Sequence, residues 1–116
     1  VELEDYYYCC TPLSLHEEDR ITSVAIIIDE LSKLDKPAII AGDFNALPNS
    51  FPMMALGRKF HIFEKSGTPY TFPANEPKRC IDYIMTNDSS IKCINAEVVN
   101  EPVASDHRPL YVDLAF

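Results

Sequence analysis

Ile39-Ile40-Ala41-Gly42-Asp43-Phe44-Asn45-Ala46 is the stretch that decides how this chain is read. A short apolar run ends in glycine and two polar groups, as a buried strand does when it delivers side chains at its carboxyl end. Gly, Asp and Asn also form turns, so a plain turn is the competing reading. The strand directly before and the small Ala46 after favour a site. Ala38 to Ala41 is therefore predicted as a buried strand, with a loop from Asp43 to Pro48 and a short helix around Met53 to Lys59.

On the amino side, Tyr6 to Cys10 is rich in aromatic and strand-favouring residues, and Thr11-Pro12-Leu13-Ser14 breaks it. Ser14 and Glu17 have capping-box spacing, and Glu17, Glu18 and Asp19 place acids where the helix dipole favours them. Ile21, Val24, Ala25, Ile28 and Leu31 then recur at three and four, which predicts a helix up to Leu34, ended by Asp35-Lys36-Pro37. On the carboxyl side, strands are predicted at Cys80 to Thr86, Lys92 to Val99 and Leu110 to Leu114. Strand, helix, strand, helix, then several strands is the order of an α/β layered unit.

Three further segments carry polar groups at strand ends or inside strands. Asp82 is a lone acid in Arg79-Cys80-Ile81-Asp82-Tyr83-Ile84-Met85; by alternation it also reads as a solvent-facing acid. Thr71 lies in Thr68-Pro69-Tyr70-Thr71-Phe72, where a strand residue is the plain reading. Ser105-Asp106-His107-Arg108-Pro109-Leu110 places an Asp-His pair at the start of the final apolar strand, an arrangement suited to a metal and a base side by side. Asp106 alone would read as a loop cap. Alternation points Arg108 away from His107, as a structural or surface residue.

The 116 residues amount to about one small domain, and 47% apolar content is enough for a core. The net charge of -8 makes the chain repel a polyanion, so nonspecific nucleic-acid binding is disfavoured. Lys78, Arg79 and Arg108 are too few for a basic surface, although Tyr70 and Phe72 are of a type that stacks on bases. Cys9, Cys10, Cys80 and Cys93 lack paired spacing and partnered histidines, which argues against zinc and favours buried free thiols, with a disulfide left as the alternative. No signal-peptide pattern and no apolar run of membrane-spanning length is visible. Starting at Val1 without Met reads as a chain that begins inside a larger gene product or after processing. Nothing here defines a compartment.

In order, Gly42-Asp43-Phe44-Asn45, Tyr70-Thr71-Phe72, Arg79-Cys80-Ile81-Asp82-Tyr83-Ile84 and Ser105-Asp106-His107-Arg108-Pro109 resemble the second half of the endonuclease/exonuclease/phosphatase superfamily. That superfamily includes DNase I, abasic-site nucleases, sphingomyelinases and inositol-phosphate phosphatases. The resemblance implies an α/β fold, half of a DNase I-like four-layer α/β sandwich with a mixed, largely antiparallel sheet and helices on one face. Residues 1–116 would form a single partial domain. It further implies a metal-dependent phosphoesterase that hydrolyses a phosphodiester or phosphomonoester by activated water, with Mg2+ or Mn2+ as cofactor. His107 would be the catalytic histidine and Asp82 the carboxylate that orients it. Asp43 would be a proton-transfer group, Asn45 a neutral donor to phosphate and Thr71 a further phosphate contact. Asp106 would bind the metal.

Two departures accompany the resemblance. Where the superfamily has a histidine in a Thr-His-Leu type motif, this chain has Thr11-Pro12-Leu13, and proline has neither imidazole nor N-H. His16 reads as an exposed residue at the helix entrance. The first half of the fold, with its metal-binding Glu, has no counterpart, so one sheet would expose the apolar face its twin should cover. The expectation is a homodimer or pairing with the missing amino-terminal half. A catalytically inactive or truncated relative acting as an interaction module is the alternative.

Overall fold

The computed structural model describes residues 5–116; the opening segment, read above for a leader, lies partly outside them. Eight elements follow in order: β1 (Tyr7–Cys10), α1 (Glu17–Ser32), β2 (Ala38–Asp43), α2 (Phe51–Gly57), β3 (His61–Ile62), β4 (Asp82–Thr86), β5 (Lys92–Val98) and β6 (Leu110–Ala115). They form a mixed four-stranded sheet, ordered β1-β2-β4-β3, and an antiparallel β5-β6 ribbon. Only β1 and β2 run parallel; β4 is antiparallel to both β2 and β3. This is the α/β half-sandwich expected. Among the described residues no helix is long and apolar enough to cross a membrane.

Strand alternation sorts the sheet into two faces. On one, Ile40, Tyr83 and Met85 bury with Val24 of α1 and Met53 and Leu56 of α2, and Cys9, Ile28 and Leu31 pack against them. Both helices therefore cover one face. On the other, Ile39 joins Phe63, Ile91 and Ala96, with Ile84, Val112 and Leu114 alongside, so the ribbon packs against the opposite side.

Local sequence explains most boundaries and some shifts. Helix α1 starts at Glu17 with His16 as N-cap, and no side chain caps it. The predicted box fails because Arg20 Nη1 holds the carbonyls of Ser14 (3.1 Å) and Leu15 (2.7 Å), keeping Ser14 outside the helix. The Ser14 hydroxyl instead accepts from the His16 amide at 3.1 Å. Its inward stripe is Val24, Ile27, Ile28 and Leu31, whereas the predicted Ile21 and Ala25 face solvent. Helix α2 begins two residues earlier than predicted, with Pro52 in its first turn, where the missing N-H costs nothing.

The amino edge of the sheet is shaped by a close approach. Thr11 and Leu13 donate to the Ala41 and Asp43 carbonyls at 3.2 and 2.9 Å, so the pairing of β1 with β2 continues past Cys10. Pro12, between them, turns its nitrogen outward from an edge strand and sacrifices no ladder bond. A Cβ at Gly42 would lie 2.0 Å from the Thr11 carbonyl oxygen, so only glycine lets this segment cross β2.

Candidate active site

The register of the sheet builds the site. Asp43, the last residue of β2, and Asp82, the first of β4, are direct partners across the antiparallel pair. Two carboxylates are thus delivered to one sheet end. Opposite them, His107 is carried by the loop preceding β6. Its Nδ1 lies 2.7 Å from Asp82 Oδ2 and its Nε2 lies 3.5 Å from Asp43 Oδ2. Asp82 Oδ2 also accepts the Thr71 hydroxyl at 2.5 Å. With Asp82 as acceptor, the proton sits on His107 Nδ1, which leaves Nε2 facing Asp43.

The loop carrying His107 is held by another loop. Ala74 N-H donates to the Asp106 carbonyl at 2.8 Å and Arg108 N-H to the Thr71 carbonyl at 2.7 Å. Arg108 Nε donates to the Ala74 carbonyl at 2.7 Å. Phe72 stands against the imidazole, ring centroids 4.9 Å apart, and the Arg79 guanidinium lies 5.2 Å from the centroid of the same Phe72 ring. Arg108 is accordingly structural, as alternation predicts, but it also lines the cleft of about 270 Å3 beside Asp43 and Asp82. The clamp itself was not legible, because each bond joins residues more than thirty positions apart or uses backbone atoms that carry no sequence signature.

Asn45 adopts a positive φ of 48°, and its N-H donates to Asp43 Oδ1 at 2.9 Å. Its Nδ2 donates to the Leu13 carbonyl at 2.6 Å. The amide thus ties the Pro12 segment to the strand end, and one of its two hydrogens remains for another acceptor. Thr71 differs from its expected role. It is fully buried with its hydroxyl given to Asp82, so it orients the Asp82-His107 pair and does not reach a substrate. His16, at the start of α1, is outside the group.

Electrostatics follow from this packing. Burial lowers the His107 pKa, but the hydrogen bond and charge of Asp82, then the charges of Asp43 and Asp106, more than reverse that, and the net shift is upward. Burial raises the Asp43 pKa; the Asn45 N-H and His107 pull it back, while Asp82 and Asp106 add to the rise. A histidine that holds its proton more firmly and a carboxylate with raised proton affinity therefore stand 3.5 Å apart.

Among the described residues, Asp43, Asp82 and His107 have ligand atoms within 4.8 Å of one another. They suit proton sharing better than a hard cation, because Asp82 Oδ2 already accepts two hydrogen bonds and imidazole is a poor ligand for Mg2+. Asp106, outside that group, is exposed, with the Ser105 hydroxyl 3.3 Å from Oδ1. Its carboxylate fits a hard divalent ion as one oxygen donor of several.

Comparison with known proteins completes the picture. No curated protein sequence matches the chain significantly. Among solved structures, a mannosyl-6-phosphatase of Bacteroides thetaiotaomicron VPI-5482 is similar at TM-score 0.74 and 20% identity, covering 92% of this chain and 50% of its own. An endonuclease/exonuclease/phosphatase of Bacteroides vulgatus gives 0.73 and 25%, covering 85% and 44%. The human Nocturnin catalytic domain with bound sulfate gives 0.70 and 20%, covering 92% and 46%. The chain spans about half the length of these structures. The model of the endonuclease/exonuclease/phosphatase family matches residues 4–107, and with that match over most of its length the chain belongs to this family.

Proposed function

We propose that this chain is the catalytic carboxyl-terminal half of a metal-dependent phosphoesterase that hydrolyses a phosphodiester or phosphomonoester by attack of water. The observation that carries the reading is the Asp82-His107 pair at 2.7 Å with Asp43 across from Nε2 at 3.5 Å. The half-length likeness to a phosphatase and to a domain with bound sulfate supports the same class of substrate.

Each residue has a part derived from its surroundings. The upward shift favours the imidazolium form of His107, which donates through Nε2 to a phosphoryl oxygen, while Asp82 offsets its charge. The raised proton affinity of Asp43 makes its ionised form a better acceptor for the proton of the attacking water. Asn45 keeps Asp43 in place through its N-H and offers its second amide hydrogen to phosphate without adding negative charge. Asp106 would hold Mg2+ or Mn2+, which when bound supplies charge neutralisation at the phosphoryl and leaving oxygens.

A groove of about 460 Å3 beside the cleft is lined by Tyr6, Tyr8, Ile39, Ile84, Leu114 and Phe116, with Tyr8 40% and Phe116 72% exposed. A second sheet, from another copy or from an amino-terminal half, would cover this face, and only the amino-terminal half would add the missing metal-binding Glu. The test is Mg2+-dependent cleavage of bis(p-nitrophenyl) phosphate and p-nitrophenyl phosphate by the protein and by His107→Ala. Hydrolysis lost in the variant is the expected result; unchanged hydrolysis would reject the assignment of the pair. No hydrolysis by the unaltered protein, even with its second half supplied, would favour an interaction module, a reading that Pro12 at the usual histidine position supports.

A further inference from the structure

Away from the acid-histidine cluster, on the helix side of the sheet, a lysine and a cysteine meet without any role in hydrolysis. Lys65 Nζ donates to Cys80 Sγ at 3.0 Å. The same ammonium lies 4.5 Å over the ring of Tyr83. Among the described residues no carboxylate forms an ion pair with Lys65, although Glu64 adjoins it in sequence. Cys80 is only 5% exposed, yet with Lys65, Glu64, Pro48, Pro69 and Tyr83 it lines a cavity of about 500 Å3. A small solute can therefore reach a sulfur that bulk contact does not touch.

We infer that Lys65 and Cys80 form an oxidation site, at which a peroxide links the two side chains through a reversible sulfur-nitrogen bond. Cationic neighbours and access govern which cysteines react. Here the cation and the access coincide at one sulfur. In the first step the Cys80 sulfur, having given its proton to solvent, attacks one oxygen of hydrogen peroxide, and the O-O bond breaks. Lys65 gives a proton to the departing hydroxide, so the products are Cys80 sulfenic acid, water and a neutral Lys65 amine. Sulfur has lost two electrons to the peroxide oxygen. In the second step that amine, already at bonding approach, attacks the sulfenic sulfur; the S-O bond breaks and the hydroxyl leaves as water with an amine proton. A thiol reductant reverses the link by attacking sulfur and returning two electrons.

Such a bond would fasten the segment after β3 to the residue two positions before Asp82. The inference stands apart from the proposed hydrolysis, since neither residue belongs to that machinery.

The test is peptide mapping of the folded protein after treatment with hydrogen peroxide and blocking of free thiols with iodoacetamide. A linked species joining the Lys65 and Cys80 peptides, lighter by about 2 Da than their sum, is expected. Trypsin should fail to cut after Lys65, and dithiothreitol should restore both peptides. In Lys65→Arg the cation is kept and the amine lost, so Cys80 sulfenic acid should accumulate and be trapped by dimedone without any link. The inference is overturned if the unaltered protein leaves Cys80 fully alkylatable. It is equally overturned if oxidised Cys80 is recovered as sulfinic acid or as a disulfide, with Lys65 free.

Discussion

His107 answers to three carboxylates, and its proton is the quantity that substitutions at the site should move. His107→Ala should lower phosphoester hydrolysis by about 10²- to 10⁴-fold, measured as kcat/KM. Activity should rise with pH as Asp43 ionises, at a pH above the ordinary carboxylate value of 3.8, and fall as His107 loses its proton, above 6.5. Asp82→Asn removes the charge, and weakens the hydrogen bond, that raise the His107 pKa, so the upper limb of the profile should shift downward. The stability signs follow from the same shifts. His107, raised in the folded state, contributes stability that is fully present below the unfolded pKa and is lost as pH rises through the folded one. Asp43, also raised, favours the folded state only when protonated, so ionised Asp43 is a cost near neutral pH. Asp43→Asn should therefore raise the melting temperature at pH 7 by a few degrees while hydrolysis is lost, and calorimetry beside an assay would read both. Activity retained with no thermal gain would refute the role given to Asp43.

At the scale of elements, the end of β2 depends on a backbone crossing. Gly42→Ala should destabilise the fold by at least about 2 kcal/mol, since a Cβ meets the Thr11 carbonyl at 2.0 Å and neither backbone can yield. Pro12→Ala, at an outward-facing edge position, should change denaturant stability by less than about 1 kcal/mol. These neighbours make a controlled pair in one urea series. Much of this region was legible in the sequence. The apolar run into Gly42-Asp43, the helix after it and the acid at Asp82 are local patterns, and the strands carrying them begin or end within a few residues of expectation. The buried role of Thr71 was not legible, because its hydroxyl meets Asp82 only through the loop bridge between Phe72 and Arg79. Strand β3, two residues long, has no periodicity to read. The failed cap at Ser14 turns on Arg20, a competitor for backbone carbonyls that spacing rules do not weigh.

For the whole molecule, the exposed aromatic and aliphatic groove makes assembly the property to measure. If the proposed pairing uses this face, Leu114→Asp should shift light-scattering mass toward the single chain. Asp106→Ala should abolish Mg2+ and Mn2+ binding in calorimetric titration without altering that mass. Binding that survives Asp106→Ala would move the metal to other donors. The outward nitrogen of Pro12 bears on association of another kind. Strands joining edge to edge need a continuous row of amide donors, and on the β1 flank that row stops at Pro12. Fibrillar growth from this side of the sheet would run out of donors within a few residues. The proline at this edge thus limits strand addition on the β1 flank of the described sheet.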